Sequence, residues 1–188
     1  MIILYIGNVG YPDTAPSIHV RNRAIFMKSC GHEVHVLCEL ASDGKRMKEV
    51  DEVAYQYMDP YPGRGQGKIR GAYWNLDQVF GKFYFKQTLK FLDKIKPDII
   101  ILYEPNSILY VLKMLNLSKK EGFKLVIETT EWRNPKDYRG IIPRVINTEK
   151  DLQKKYIDKK VGNVIAISKY LYQHYLEQNC NTILLPRS

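Results

Sequence analysis

Glu128, Glu131 and Trp132 fall within five consecutive residues of the segment ETTEWRNP. A carboxylate in such a setting can hold a sugar hydroxyl or accept a proton, and an indole gives a sugar ring an apolar stacking face. Thr130 adds a hydroxyl beside them. The plainer account is that Glu128 caps a neighbouring helix and Trp132 belongs to the core. Glu131 is the side chain to which this pattern assigns chemistry first.

A second group lies near the amino terminus. Gly7, Asn8 and Gly10 belong to a stretch rich in turn formers, GNVGYPDTAPS, which leads into a helical pattern carrying Ser17, His19 and Arg21. Glycines there allow close backbone approach, and the unpaired N–H groups of a helix start suit an anion or sugar hydroxyls. Turn formation alone would also explain the glycines. The stretch contains neither G-x-G-x-x-G nor G-x-x-x-x-G-K-[ST], so the usual dinucleotide and nucleotide-triphosphatase signatures are missing. Glu104 and Ser168 each follow an apolar run and complete the set of substrate-binding candidates. Four scattered histidines and three cysteines form no Ser-His-Asp constellation and no set of metal ligands, so no metal or cofactor is expected.

These residues need a scaffold, and the chain's rhythm supplies one. Short β-branched runs alternate with amphipathic helical stretches: IILYIG ending at Gly7 and Asn8, a helix over SIHVRNRAIFMKSC with Ser17 as N-cap, Gly31, and then HEVHVLCE. VAYQYM follows an ambiguous polar stretch, Ala41 to Glu52, and precedes DPYPGRGQGKIRG, read as a mobile loop. A helix is expected from about Tyr73 to Lys96, then the strand DIIILYE, a helix over SILYVLKMLNL and the strand KLVIETTEW. A charged helix is expected around Asn147 to Lys160. NVIAIS then ends on Ser168, which caps KYLYQHYLEQ, and TILLP closes the sheet. The reading is an α/β three-layer sandwich with a mainly parallel sheet of about seven strands, one domain over residues 1–188. In such a sheet ligands bind beyond the carboxyl ends of the strands, where all the residues named so far converge.

Composition fits an ordinary globular chain of 188 residues, 45% apolar and 26% charged, with no stretch of roughly 18 uncharged apolar residues. Met1 runs straight into the first strand pattern with no signal-peptide layout, and the cysteines show no disulfide spacing, so a cytoplasmic setting is expected. The formal charge is +9. Between Tyr61 and Lys96 eight Lys or Arg stand against two Asp, and Lys82, Lys86, Lys90 and Lys94 recur every four residues beside several aromatics. That stripe suits an anionic membrane surface; a solvated helix face is the plainer reading, and no recognition motif accompanies the charge to suggest nucleic acid.

The order of S-x-H-V-x-x-R, GHEVHVL, KPDIIILYEP, KLVIETTEW, EKDLQKKYIDKKVGNVIAISKYL and ILLP resembles the N-terminal domain of the family 4 retaining glycosyltransferases of the GT-B fold. The resemblance spans nearly the whole chain, and its most telling pieces are GHEV and the stretch in which Glu149 opens a helix that leads to a strand with Ser168 at its tip. It implies a Rossmann-like, acceptor-binding half that meets a second half holding the sugar nucleotide, a C-terminal domain or partner chain absent from this sequence. With it goes an expectation of hexosyl transfer to a lipid-linked or surface-polysaccharide precursor, with the sugar nucleotide as co-substrate; placement at the inner face of a membrane rests on the basic aromatic helix alone. The isolated half would be inactive.

Two departures stand out. Where many members carry a Gly-Gly pair after the first strand, this chain has Ala15, Pro16 and Ser17, which weakens any donor contact from that loop. Where many have His or Asp after the fifth strand, it has Thr130 and Glu131. The family's leaving-group phosphate is thought to take the acceptor's proton, so Glu131 orients the acceptor and is not a base. A stand-alone Rossmann-like binding or assembly module without catalysis is the alternative from another class.

Overall fold

A computed structural model of the chain describes residues 1–11, 15–41, 47–50, 53–59, 79–105, 107–132 and 134–185. An eight-stranded sheet runs in the order β3-β4-β2-β1-β5-β6-β7-β8. Its strands are β1 (Ile2–Tyr11), β2 (Glu33–Ala41), β3 (Met47–Val50), β4 (Val53–Tyr57), β5 (Ile99–Tyr103), β6 (Lys124–Thr129), β7 (Asn163–Ala166) and β8 (Asn181–Leu184). All neighbours pair in parallel except β3 with β4. The eighth strand is β3, drawn from the polar stretch whose sequence was ambiguous. At the edge of the sheet it needs no apolar alternation, so periodicity could not reveal it.

Alternation along the central strands sorts the two cores. Ile3, Tyr5, Val36, Ile101 and Tyr103 point to the face covered by α1 (Ala15–Ser29), against its Val20 and Ala24. Leu4, Ile6, Ile100, Leu102, Leu125 and Ile127 point to the other face, under α2 (Lys82–Leu92) and α3 (Ile108–Glu121). Each such aliphatic side chain, almost wholly enclosed, contributes on the order of 1.5–3 kcal/mol of burial free energy. The chain then continues through α4 (Ile141–Leu152), a π-helical stretch at Gln153–Ile157, α5 (Asp158–Val161) and α6 (Lys169–Glu177).

Several boundaries differ from expectation for physical reasons. β1 continues past Gly7 and Asn8 to Tyr11, paired with β2 across a bulge between Gly7 and Gly10. Helix α1 begins at Ala15, so Ser17 is inside its first turn and wholly buried instead of capping it. Helix α2 begins at Lys82 because Gly81 adopts φ 58°, and a Cβ there would lie 2.7 Å from the Cβ of Tyr110. The close approach of α3 thus requires glycine and breaks the helix. The loop DPYPGRGQGKIRG lies, beyond Asp59, outside the described residues, as do residues 73–78 of the expected helix. The charged helix starts at Ile141, well before Asn147, so Glu149 sits within α4, where its carboxylate accepts the Ile108 N–H at 3.0 Å.

Candidate functional site at the carboxyl edge

From β1 the chain steps one way to β2 and later returns to the other side of β1 to form β5, which makes the β1/β5 boundary the switch point where an open α/β sheet leaves a crevice. Gly7 pairs with Tyr103 there. A Cβ on Gly7 would stand 2.8 Å from the Tyr103 Cβ and 3.0 Å from its carbonyl oxygen, so glycine is needed for the two strand ends to approach. The β1 bulge follows immediately, with Asn8 inside it and Gly10 at its far end. Bulges of this kind re-aim the backbone next to sites.

Glu104, the first residue past β5, takes φ 42°, a left-handed conformation uncommon for a side chain with a Cβ. Its N–H is held by the Glu128 carbonyl at 2.9 Å. Its carboxylate turns toward β6 and accepts the backbone N–H of Thr130, the N–H of Glu131 at 3.1 Å, and the hydroxyls of Thr129 and Thr130 at 3.2 Å each. Lys154 donates to the same carboxylate at 3.3 Å and also to the Thr129 hydroxyl. Burial alone would raise the Glu104 pKa, but Lys154 and the two backbone N–H groups outweigh it and hold the carboxyl below its usual range. Glu104 is therefore an anchor: it pins the backbone on which Glu131 projects, exposed, from the carboxyl rim.

Lys154 reaches this place from the π-helical stretch, whose extra residue per turn helps bring Gln153 and Lys154 inward together; both are buried. Beneath them Asp158 accepts from the Tyr175 hydroxyl at 2.7 Å and from the Gln153 amide at 3.2 Å. Burial pushes the Asp158 carboxyl up to about 6, against the pull of Lys154 and its hydrogen bonds. Burial and Asp158 together drive the Tyr175 hydroxyl strongly upward.

Glu128 and Glu131 do not come together. Glu128 points to the α1 face and has no exposed surface; it accepts from the Tyr5 hydroxyl and forms an ion pair with Arg23. Burial raises its pKa, opposed by Arg23 and the Tyr5 hydrogen bond. Arg23 also donates to the Leu185 carbonyl at 3.2 Å, tying α1 to the end of β8. A ligand could reach Glu128 only by displacing this triad. His19 and Arg21 are half-buried on α1. Ser168 caps α6 as expected, its hydroxyl accepting the Leu171 N–H at 3.3 Å. Trp132, half-buried beside Glu131, donates its indole N–H to Asp151 at 2.8 Å. Lys82, Lys86, Lys90 and Lys94 are all exposed, with Lys90 paired to Asp59 at 3.2 Å. Among the described residues no His, Cys, Asp or Glu group could hold a metal ion, and no helix is long and apolar enough to cross a membrane.

No protein-family model matches the sequence, and no curated protein matches it. Solved structures do share its architecture. A sucrose-phosphate synthase from Thermosynechococcus elongatus aligns over 98% of this chain with a TM-score of 0.59 at 13% identity, and Anabaena HepE, solved in complex with UDP, over 99% with 0.51 at 15%. The fold matches that of one Rossmann-like half of a GT-B glycosyltransferase. The chain spans 47% of the first protein and 44% of the second, slightly less than half of either. At such identities the likeness is one of fold, and the site residues rest on the geometry above.

Lys154, Asp158 and Tyr175 gave no signal in sequence, because their partners lie far along the chain or around an irregular helical turn. The nearest hint was a lysine pair, Lys154 and Lys155, in a helix whose apolar face would otherwise read as core.

Proposed function

We propose that the chain is the acceptor-binding half of a sugar-nucleotide-dependent retaining glycosyltransferase of the family 4 type, transferring a hexosyl group to a cell-surface polysaccharide or glycolipid precursor. The observation that carries this reading is Glu131, exposed on the carboxyl rim next to the switch point, on a backbone that Glu104 fixes through two N–H groups. In this role Glu131 orients the acceptor hydroxyl, and the proton passes to the leaving phosphate of the donor. Gly7, Asn8 and Gly10 line the crevice from β1, Thr130 and Trp132 from the loop after β6, and Ser168 from β7. His19 and Arg21, half-buried on α1, are assigned to its margin, and the wholly buried Ser17 supports it from within together with Glu104 and Glu128. The donor is held mainly by a second half or partner chain. The exposed lysines of α2 support docking at the cytoplasmic face of an anionic membrane.

Glu131→Ala, assayed in the native full-length polypeptide, tests the assignment. Loss of a carboxylate hydrogen bond worth about 1.5–3 kcal/mol lowers kcat/KM for the acceptor roughly 10- to 100-fold. Donor affinity stays as in the wild type. Unchanged acceptor kinetics, or a loss confined to donor binding, contradicts the role.

A further inference from the structure

Just past Glu131 the carboxyl rim opens into a cleft of about 700 Å³ that Glu131 itself does not line. Its walls come from three separate elements: Trp132 and Lys136 from the loop after β6, Asp151 and Lys155 from the end of α4 and the π-helical stretch, and Tyr170 from the first turn of α6. The size falls within the roughly 300–1,000 Å³ of sites that enclose a drug-sized ligand.

Of the two rings that line it, Trp132 packs against the buried cluster of Val164, Ala166, Leu171, Tyr175 and Cys180, and Tyr170 stands outside that cluster. Trp132 and Tyr170 stand 5.8 Å apart between centroids at 51°, a tilted corner instead of a stack, and Tyr170 leaves 68% of its surface in water. The indole is held on two further sides, by His174 in a T-shaped contact with centroids 4.4 Å apart and by Asp151 at its N–H. Asp151 is itself fixed by Lys155 at 2.7 Å. With its one donor committed, the indole offers the cleft only apolar ring surface, already immobilised before any ligand arrives. A preorganised aromatic corner with polar groups at its margin binds a ring that is apolar on one face and hydroxylated at its edge. A pyranose has that character.

We infer that the Trp132–Tyr170 cleft is a saccharide subsite, which takes a sugar unit of the acceptor next to the one positioned at Glu131, so that the acceptor is a glycan of two or more pyranose units. Lys155 is engaged by Asp151, so Lys136 at the margin is the cation that favours a unit carrying a carboxylate. The inference rests on the glycosyltransferase reading, yet its test does not require transfer.

Saturation-transfer-difference NMR on the 188-residue chain with cellobiose, chitobiose, a glucuronic-acid-containing disaccharide and UDP reads binding directly. The disaccharides are expected to show transfer to ring protons, strongest for the acidic one. Trp132→Ala and Tyr170→Ala each abolish that transfer, while Trp132→Phe restores part of it, which a merely structural indole would not do. Circular dichroism and the urea midpoint establish that each variant folds. No transfer to any disaccharide from the folded wild type overturns the subsite, as does transfer that survives in both folded alanine variants. Transfer to UDP that depends on Trp132, with none to the disaccharides, overturns it in favour of a nucleobase site. Should the subsite fail while the full-length polypeptide still transfers sugar in a Glu131-dependent way, the function stands without it. Should sugars bind but no transfer occur, the enzyme reading fails and a saccharide-binding module remains.

Discussion

Lys154→Met deletes the ammonium facing Glu104 and keeps a side chain of comparable reach. Lys154 has 6% of its side chain exposed and Glu104 20%, so the pair is largely out of water. Removing one member of a buried pair costs about 3–5 kcal/mol, because the remaining charge is left uncompensated. Glu104 keeps its hydrogen bonds from Thr129, Thr130 and Glu131, which places the expected loss near the lower figure, about 3 kcal/mol. With a urea m-value of about 2 kcal/mol/M, the unfolding midpoint falls by roughly 1.5 M at unchanged slope. Glu104→Gln costs a similar amount by stranding Lys154, and the double variant costs less than the sum, since neither charge is left unpaired. Amide hydrogen exchange gives a second readout: Thr130 and Glu131 exchange faster in Glu104→Gln, where their acceptor loses its charge, than in Lys154→Met. A Lys154→Met midpoint within about 0.3 M of wild type, or strictly additive effects, refutes the claim that this pair organises the loop carrying Glu131.

Gly7→Ala forces a Cβ against the Tyr103 Cβ at 2.8 Å and is expected to cost about 1–3 kcal/mol, read from the same urea midpoints. Asp158 holds its proton to about pH 6 when folded, whereas an unfolded Asp releases it near pH 4. Between those values the folded chain binds more protons, so stability falls as pH rises through this window, by on the order of 2–3 kcal/mol in all and about half of that above pH 5, and Asp158→Asn flattens the slope between pH 5 and 6.5. The depressed Glu104 acts in the opposite sense, its contribution fading as pH falls below the ordinary carboxylate range, so measurements above pH 5 isolate Asp158. Sedimentation with anionic liposomes is expected to weaken roughly 100-fold or more when Lys82, Lys86, Lys90 and Lys94 become alanine, at about 1 kcal/mol per basic group, and to vanish in high salt. Binding indifferent to both salt and these lysines removes the membrane element.

What was legible in the sequence was local. Strand alternation in IILYIG and KLVIET, the glycine at 31 with its φ of 83°, and the Ser168 cap all depend on neighbours within a few positions, and each stands in the structure. The illegible parts join distant positions. Tyr5 and Glu128 are 123 residues apart and Glu104 and Lys154 are 50 apart, so no window along the chain could show that one glutamate is enclosed and the other is an anchor. The π-helical turn hid Lys154 by shifting its register relative to the regular helical period. The helix break at Gly81 was hidden because it depends on the approach of Tyr110 from another helix.

Amide chemical-shift mapping of the labelled chain during titration with the glucuronic-acid-containing disaccharide tests the central placement most directly. The account predicts perturbations at Gly7, Glu104 and Thr130 to Trp132, along the carboxyl ends of β1, β5 and β6. Shifts gathered instead at the opposite edge, around the cavity lined by Leu89, Pro97 and Phe123, would contradict it.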